Sequence, residues 1–114
     1  MTTRKLDKAE WRPFFDAMAE VLGPKRAEIE VLSLNLGDQV EAEWLPLLGI
    51  SYDPRDDIVD VALEGLDHII DQPREIYVVE EEAGELMAIE VVAADGTRQI
   101  VKLRDPLMLP APQH

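Results

Sequence analysis

The hydrophobic positions change period once along the chain, after about residue 24. Before that point, apolar side chains recur every three or four residues. They are Trp11, Phe14, Phe15, Met18 and Leu22. This spacing places them on one face of an amphipathic α-helix. The pattern therefore predicts a helix over about residues 7–22 that packs against the rest of the protein.

Three features indicate where this helix begins and ends. Asp7 and Glu10 have the spacing of a capping box, in which each side chain accepts a hydrogen bond from a free backbone N–H group. Pro13 would remove a hydrogen bond from the interior of such a helix. We therefore expect a short turn first and the main helix to open at Pro13. Gly23 and the proline after it then end the helix.

After the helix, apolar and polar residues alternate, which is typical of half-buried β-strands. Glutamates alternate with alanine, isoleucine, valine and tryptophan in residues 27–31 and 40–44. Later runs are rich in β-branched side chains and are separated by glycine and proline turns. The predicted strands cover about residues 26–34, 39–52, 57–63, 75–81, 85–93 and 97–104.

The second and third of these strands form the central hairpin. Asp53–Asp56 is a turn signal, because its second position is a proline and its first can cap the turn with a side-chain oxygen. With these four residues as the loop, Ile50 lies opposite Val59 and Leu48 lies opposite Val61. Both pairs are apolar and share one face of the hairpin. This match predicts the register.

The last two strands form another hairpin, whose loop length decides its register. A two-residue loop would place Ile89 opposite a lysine. A three-residue loop of residues 94–96 places Ile89 opposite Val101 and brings Glu90 beside Arg98. We therefore predict the three-residue loop.

Two shorter stretches lie outside this strand pattern. In residues 66–73, the spacing of Leu66, Ile69 and Ile70 predicts a single helical turn that the following proline ends. Residues 105–114 form an extended, proline-rich tail.

Together these elements predict an α+β fold. The N-terminal helix packs on a bent, mostly antiparallel sheet of about six strands. A sheet of this size can curl into a small open β-barrel, which protects its edge strands. At 114 residues the chain has room for one domain over residues 1–114.

Composition and charge narrow the classes of partner and compartment. Hydrophobic residues make up 46% of the chain, which is ordinary for a folded protein, and there is no cysteine for a disulfide or a thiolate metal site. The sequence has neither a signal-peptide pattern nor a membrane-spanning run, so we expect a cytoplasmic protein. A formal net charge of -13 disfavours nucleic acid and anionic membranes as partners.

Candidate ligand-binding chemistry is sparse. Trp44, Tyr52 and His68 could line a small-ligand pocket at one end of the sheet, although a tryptophan on a strand more often belongs to the core. His68 could also act as a lone general base, but histidines at such positions are more often structural. Two histidines, one of them terminal, cannot form a metal cluster, and the acidic turn lacks the spacing of a calcium loop. We expect no metal and no cofactor.

The tail contains the one conspicuous apolar run outside the core pattern, Leu107, Met108 and Leu109. Three exposed apolar side chains in a row are unfavourable in water. We expect them to pack on their own domain or, less often, on a protein partner such as a second copy.

Three segments carry a resemblance to a known family. They are LGDQVEAEWLPLLGISYDPRDD, LDHIIDQPREIYV and DGTRQIVKLRDPL. The chain, from EWRPFF onward, resembles the bacterial domain-of-unknown-function family 5335. The resemblance implies a small single-domain bacterial protein. It carries no known activity, so it transfers no catalytic residue.

The absence of a catalytic motif favours a non-enzymatic interaction or regulatory module that could form a homodimer, with Leu107, Met108 and Leu109 or an exposed sheet edge as its surface. The alternative is a small-ligand-binding domain with its pocket at Trp44, Tyr52 and His68. An enzyme with His68 as its base is a third hypothesis.

Overall fold

The computed structural model describes residues 1–21, 23–33 and 37–105, which form one sheet and one α-helix. In chain order the elements are β1 (Thr2–Leu6), a 3-10 helix (Lys8–Glu10), α1 (Trp11–Val21), β2 (Arg26–Ser33), β3 (Gly37–Asp53), β4 (Ile58–Leu63), β5 (Leu66–Asp71), β6 (Pro73–Glu80), β7 (Leu86–Ala93) and β8 (Arg98–Arg104). The strands pair antiparallel in the order β1-β6-β7-β8-β2-β3-β4-β5.

This arrangement confirms the α+β class, with a larger sheet than the sequence predicted. Eight strands form the described sheet instead of six, because β1 and β5 were not expected. The sheet is not closed into a barrel, since its two edge strands, β1 and β5, do not pair with each other.

β5 corrects the helical turn predicted for residues 66–73. Gly65, with φ of +82°, reverses the chain so that Leu63 pairs with Leu66, and the pairing continues until Ile58 lies opposite Asp71. The ladder satisfies the backbone groups of β5 that face β4, whereas a single helical turn would leave most of its backbone groups unpaired. Helix-like spacing was therefore misleading here.

α1 begins later than the predicted helix. The chain first forms the 3-10 turn, where the Asp7 N–H group donates to Glu10 Oε1 at 3.2 Å, as expected for one half of the capping box. Pro13 is the third residue of α1, not the first. It is tolerated because N–H groups in the first helical turn have no partner within the helix. Leu22, the last residue of the predicted helix, lies outside the described residues.

β3 is long enough to belong to both halves of the sheet. Its first part pairs with β2 and its second part with β4. Trp44, with φ of +51°, lies at an irregularity in the pairing with β2, and the strand changes partner after Pro46. β5 then lies near β7, and His68 of β5 reaches Gln99 of β8. The sheet therefore folds over itself and encloses a core between its halves.

The register of the central hairpin differs by two residues from the prediction. Ile50 pairs with Val61 and Tyr52 pairs with Val59, so residues 54–57 form the loop. The Tyr52 hydroxyl donates to Asp57 Oδ1 at 2.9 Å, which holds the loop closed beyond the predicted turn. Because the shift is even, Ile50, Val59 and Val61 still face the core.

Leu48 was predicted to face the core opposite Val61, but 69% of its surface is exposed. The register shifts between Leu47 and Gly49, so the side chains before and after this bulge change faces relative to β4. By contrast, the predicted pairing of Ile89 with Val101 is confirmed.

α1 closes one side of the core. Its buried side chains are Trp11, Phe15 and Met18. The Trp11 ring meets the edge of Tyr52 at a centroid distance of 5.1 Å, which joins the helix to β3. No helix in the described part of the chain is long and apolar enough to cross a membrane.

Candidate functional site

The three side chains of the predicted pocket lie in different surroundings. Trp44 is half-buried, with the Arg104 guanidinium 5.0 Å from its ring centre and its backbone carbonyl accepting a hydrogen bond from Arg26. Tyr52 is buried against Trp11. His68 is half-buried on β5, and its Nε2 lies 2.5 Å from Gln99 Oε1. Among the described residues, no hydrogen bond or ring contact joins any two of these three side chains.

A partly enclosed apolar surface lies elsewhere, between α1 and the turn joining β6 to β7. Two adjoining cavities of about 410 Å³ and 210 Å³ share Lys25, Glu85 and Leu86, and we call them together the Lys25 groove. The larger cavity is also lined by Phe14, Ala17, Met18, Glu80 and Gly84. The smaller is also lined by Glu81, Met87, Leu103, Arg104 and Asp105.

An ion pair stands at the junction of the two cavities. Lys25 Nζ lies 2.6 Å from Glu85 Oε1. The lysine side chain is only 11% exposed, whereas the glutamate is 55% exposed. The long lysine stem therefore adds apolar surface to the groove while its ammonium group stays paired. The Leu47 N–H group donates to the Lys25 carbonyl at 2.9 Å, which fixes the lysine backbone against β3.

The turn that carries Glu85 is held by its own backbone. The Glu81 N–H group donates to the Glu85 carbonyl, and the Gly84 N–H group donates to the Glu81 carbonyl, both at 2.8 Å. Gly84 has φ of +87°, a conformation that glycine adopts without strain. The groove therefore has one wall on α1 and the other on a defined turn.

The charged rim at the other end of the larger cavity is also paired. Arg4 Nε donates to Glu80 Oε1 at 2.9 Å, and its guanidinium lies 5.8 Å from the centre of the Phe14 ring. Because the charged groups that line the larger cavity are paired, the surface that a ligand would gain by entering that cavity is mainly apolar. Such a groove suits an extended apolar segment better than a reaction requiring a free acid or base.

The described residues end at the Lys25 groove. Leu103, Arg104 and Asp105 line the smaller cavity, and Asp105 is the last described residue. The predicted interaction residues Leu107, Met108 and Leu109 lie outside the described residues, two to four positions further along.

Sequence reasoning missed Lys25 as a candidate. Its partner, Glu85, is 60 positions away, so no local spacing pointed to the pair. The only signal was a lysine at the junction of the helix and the first predicted strand, a place where two elements must pack.

A carboxyl pair on the outer face of β4 is the other unusual electrostatic feature. Burial of Asp60, together with a hydrogen bond and charge repulsion from Asp67, raises the Asp60 pKa from 3.8 to about 6. Asp60 Oδ1 is buried without a hydrogen-bond partner. Within the described residues, no group of three or more histidine, aspartate or glutamate side chains is placed to hold a metal ion.

Comparison with known proteins shows relatives without an assigned activity. The chain is 43% identical over 111 residues to an uncharacterized protein of Aquifex aeolicus (strain VF5), and the match covers 96% of this chain and 99% of that protein. No solved structure matches the chain. The model of the family of unknown function DUF5335 matches residues 2–112. The resemblance found in the sequence is thereby confirmed, and the chain belongs to this family.

Proposed function

We propose that the protein is a non-enzymatic interaction module whose Lys25 groove binds an extended apolar segment, and that residues 106–114 of the same chain are its resident occupant. A partner with a similar apolar segment would bind by displacing them. One observation carries the proposal: the apolar groove is lined at one end by the residues that lead directly into the tail.

The reach of the tail supports an occupant from the same chain. An extended chain advances about 3.3 Å per residue, so Leu107 to Leu109 come within roughly 7–14 Å of Asp105. The smaller cavity adjoins Asp105, and the larger cavity shares its lining. The tail therefore needs no long linker to reach the groove.

The chemistry of the tail also fits. Leucine and methionine side chains would contact the apolar wall formed by Phe14, Met18 and Leu86. A segment tethered by one or two residues has an effective concentration on the order of millimolar at its site, which favours it over a free competitor. A competing partner must therefore supply a better apolar fit or a high local concentration.

The test uses the full-length protein and a fluorescent peptide with the sequence of residues 104–114. We expect wild-type protein to bind this peptide weakly, because its own segment covers the groove. The variant with Leu107→Ser, Met108→Ser and Leu109→Ser should bind it about tenfold more tightly by fluorescence anisotropy. Equal binding by the two proteins, or binding by neither, would show the proposal to be wrong.

A matched pair of helix variants locates the binding surface. Ala17 lines the groove, whereas Ala19 is exposed on the same helix outside the lining. In the serine-substituted background, Ala17→Arg should abolish peptide binding and Ala19→Arg should leave it unchanged. Molar mass from light scattering adds a further check: a wild-type dimer that the three serines dissociate would mean that a second copy supplies the segment.

The other hypotheses have less support. The small-ligand pocket at Trp44, Tyr52 and His68 would need three side chains that lie in separate surroundings. Catalysis by His68 stays an untested prediction; within the described residues, the side-chain hydrogen bond of His68 is to an amide, not to an acid or a nucleophile.

A further inference from the structure

The positively charged side chains are almost all paired, and the exceptions lie together. The chain has 11 lysines and arginines. Nine of them contact a carboxylate, a carbonyl or an aromatic ring. Arg12 and Arg55 have no such partner among the described residues. Both guanidinium groups are exposed to solvent and free to bind an anionic ligand.

Both arginines line the same cavity. It has a volume of about 770 Å³ and lies between α1 and the loop joining β3 to β4. Asp53 Oδ1 accepts hydrogen bonds from the N–H groups of Arg55 and Asp56, at 2.9 and 3.4 Å, so the backbone that carries Arg55 is held. Arg12 is held by the first turn of α1. The backbone of both arginines therefore belongs to ordered elements, while their side chains are exposed.

The same cavity also contains an unpaired acid. Asp16 lies four residues after Arg12 on α1, a spacing that often gives an ion pair, but the two side chains form none. Asp16 has no partner among the described residues, and Asp53 uses one oxygen to hold the turn. The cavity thus offers charges of both signs to a ligand.

We propose that this cavity binds a small zwitterion of the amino-acid class, with its carboxylate between Arg12 and Arg55 and its ammonium group at Asp16. Guanidinium groups bind carboxylate oxygens through paired, charge-assisted hydrogen bonds. The nearby carboxylates and the net charge of -13 oppose a phosphate dianion. A zwitterion carries no net charge and meets no such repulsion. This site is separate from the Lys25 groove.

The test is an NMR titration of ¹⁵N-labelled full-length protein with L-alanine, acetate or methylammonium at constant ionic strength, following the backbone amides of Arg55 and Asp56. We expect saturable shifts with L-alanine and binding about tenfold weaker for acetate and for methylammonium, because each lacks one charged contact. Acetate binding as tightly as L-alanine would overturn the proposal, since it would indicate a simple anion site. Absence of saturable shifts with L-alanine would also overturn it.

Three substitutions separate this site from a general charge effect. Arg12→Gln and Arg55→Gln should each weaken L-alanine binding about tenfold, since each removes a charge-assisted contact. Arg98→Gln makes the same charge change where the arginine pairs with Glu90, away from the cavity, and should leave binding unchanged. Equal weakening by all three variants would contradict a site at this cavity.

Discussion

Replacing Asp60 with asparagine should stabilise the protein at neutral pH and leave its stability nearly unchanged in acid. Asp60 lies on the outer face of β4 beside Asp67, and one of its oxygens is buried without a partner. Burial and the neighbouring carboxyl group raise its pKa from 3.8 to about 6. The asparagine keeps the shape, carries no charge and can donate a hydrogen bond to Asp67.

The direction of this stability change follows from the number of protons that the folded and the unfolded protein bind. Between pH 4 and pH 6 the folded protein retains the Asp60 proton that the unfolded chain has released, so its stability falls as the pH rises through this interval. A shift of about two pKa units corresponds to roughly 3 kcal/mol, and partial solvent access reduces the effect to about 1–3 kcal/mol. Asp60→Asn removes this loss, so its advantage should be full above pH 6 and vanish below pH 4.

Urea denaturation at several pH values measures this difference directly. Asp71→Asn, on the neighbouring strand, is the control, because it removes the same charge from an exposed position. Its stability should follow that of the wild type across the series, apart from a small general charge effect. An Asp60→Asn advantage of the same size at every pH would refute the titration argument.

Four further substitutions test the fold through its free energy of unfolding in urea. Phe15→Ala, at a fully buried position of α1, should cost about 3–5 kcal/mol. Tyr52→Phe should cost about 1 kcal/mol near pH 7. Because the Tyr52 hydrogen bond lowers the Asp57 pKa, that cost should disappear as the pH falls below 3.8 and the carboxyl becomes protonated. Gly96→Ala should cost about 1 kcal/mol, because the φ of Gly96 is +86°. Gly49→Ala should be nearly neutral, because an added Cβ at Gly49 meets no atom within 4 Å. Equal costs for the two alanines would contradict the role of positive φ.

Local turn chemistry decided which features of the fold could be predicted. The loop at residues 94–96 fixed the pairing of Ile89 with Val101, because a left-handed glycine and the apolar pattern agreed. For the central hairpin, the prediction was right about the buried face but wrong about the register. There a hydrogen bond from Tyr52 to Asp57 extends the loop past the turn signal, and no residue pattern encodes that contact.

The elements that were missed are edge strands. β1 has only Leu6 buried, so it shows almost none of the alternation that identifies a strand. β5 buries Ile70 but leaves Leu66 and Ile69 exposed, and their spacing resembled a helix. An edge strand depends on the hydrogen bonds of one neighbour, and for β1 that neighbour is β6, which is distant in sequence and leaves no local signal. The ion pair of Lys25 and Glu85 could not be predicted for the same reason.

The order of the strands has a consequence for how the chain reaches this structure. The meanders β2-β3-β4-β5 and β6-β7-β8 join strands that are adjacent in sequence, so their loops close at low entropic cost. The pairs β2-β8 and β1-β6 instead join strands that are distant in sequence, and in the second pair Thr2 lies opposite Glu80. We expect the two local meanders to form early and these two distant pairs to form late. Folding should accordingly take milliseconds to seconds, as in other proteins dominated by non-local strand pairs.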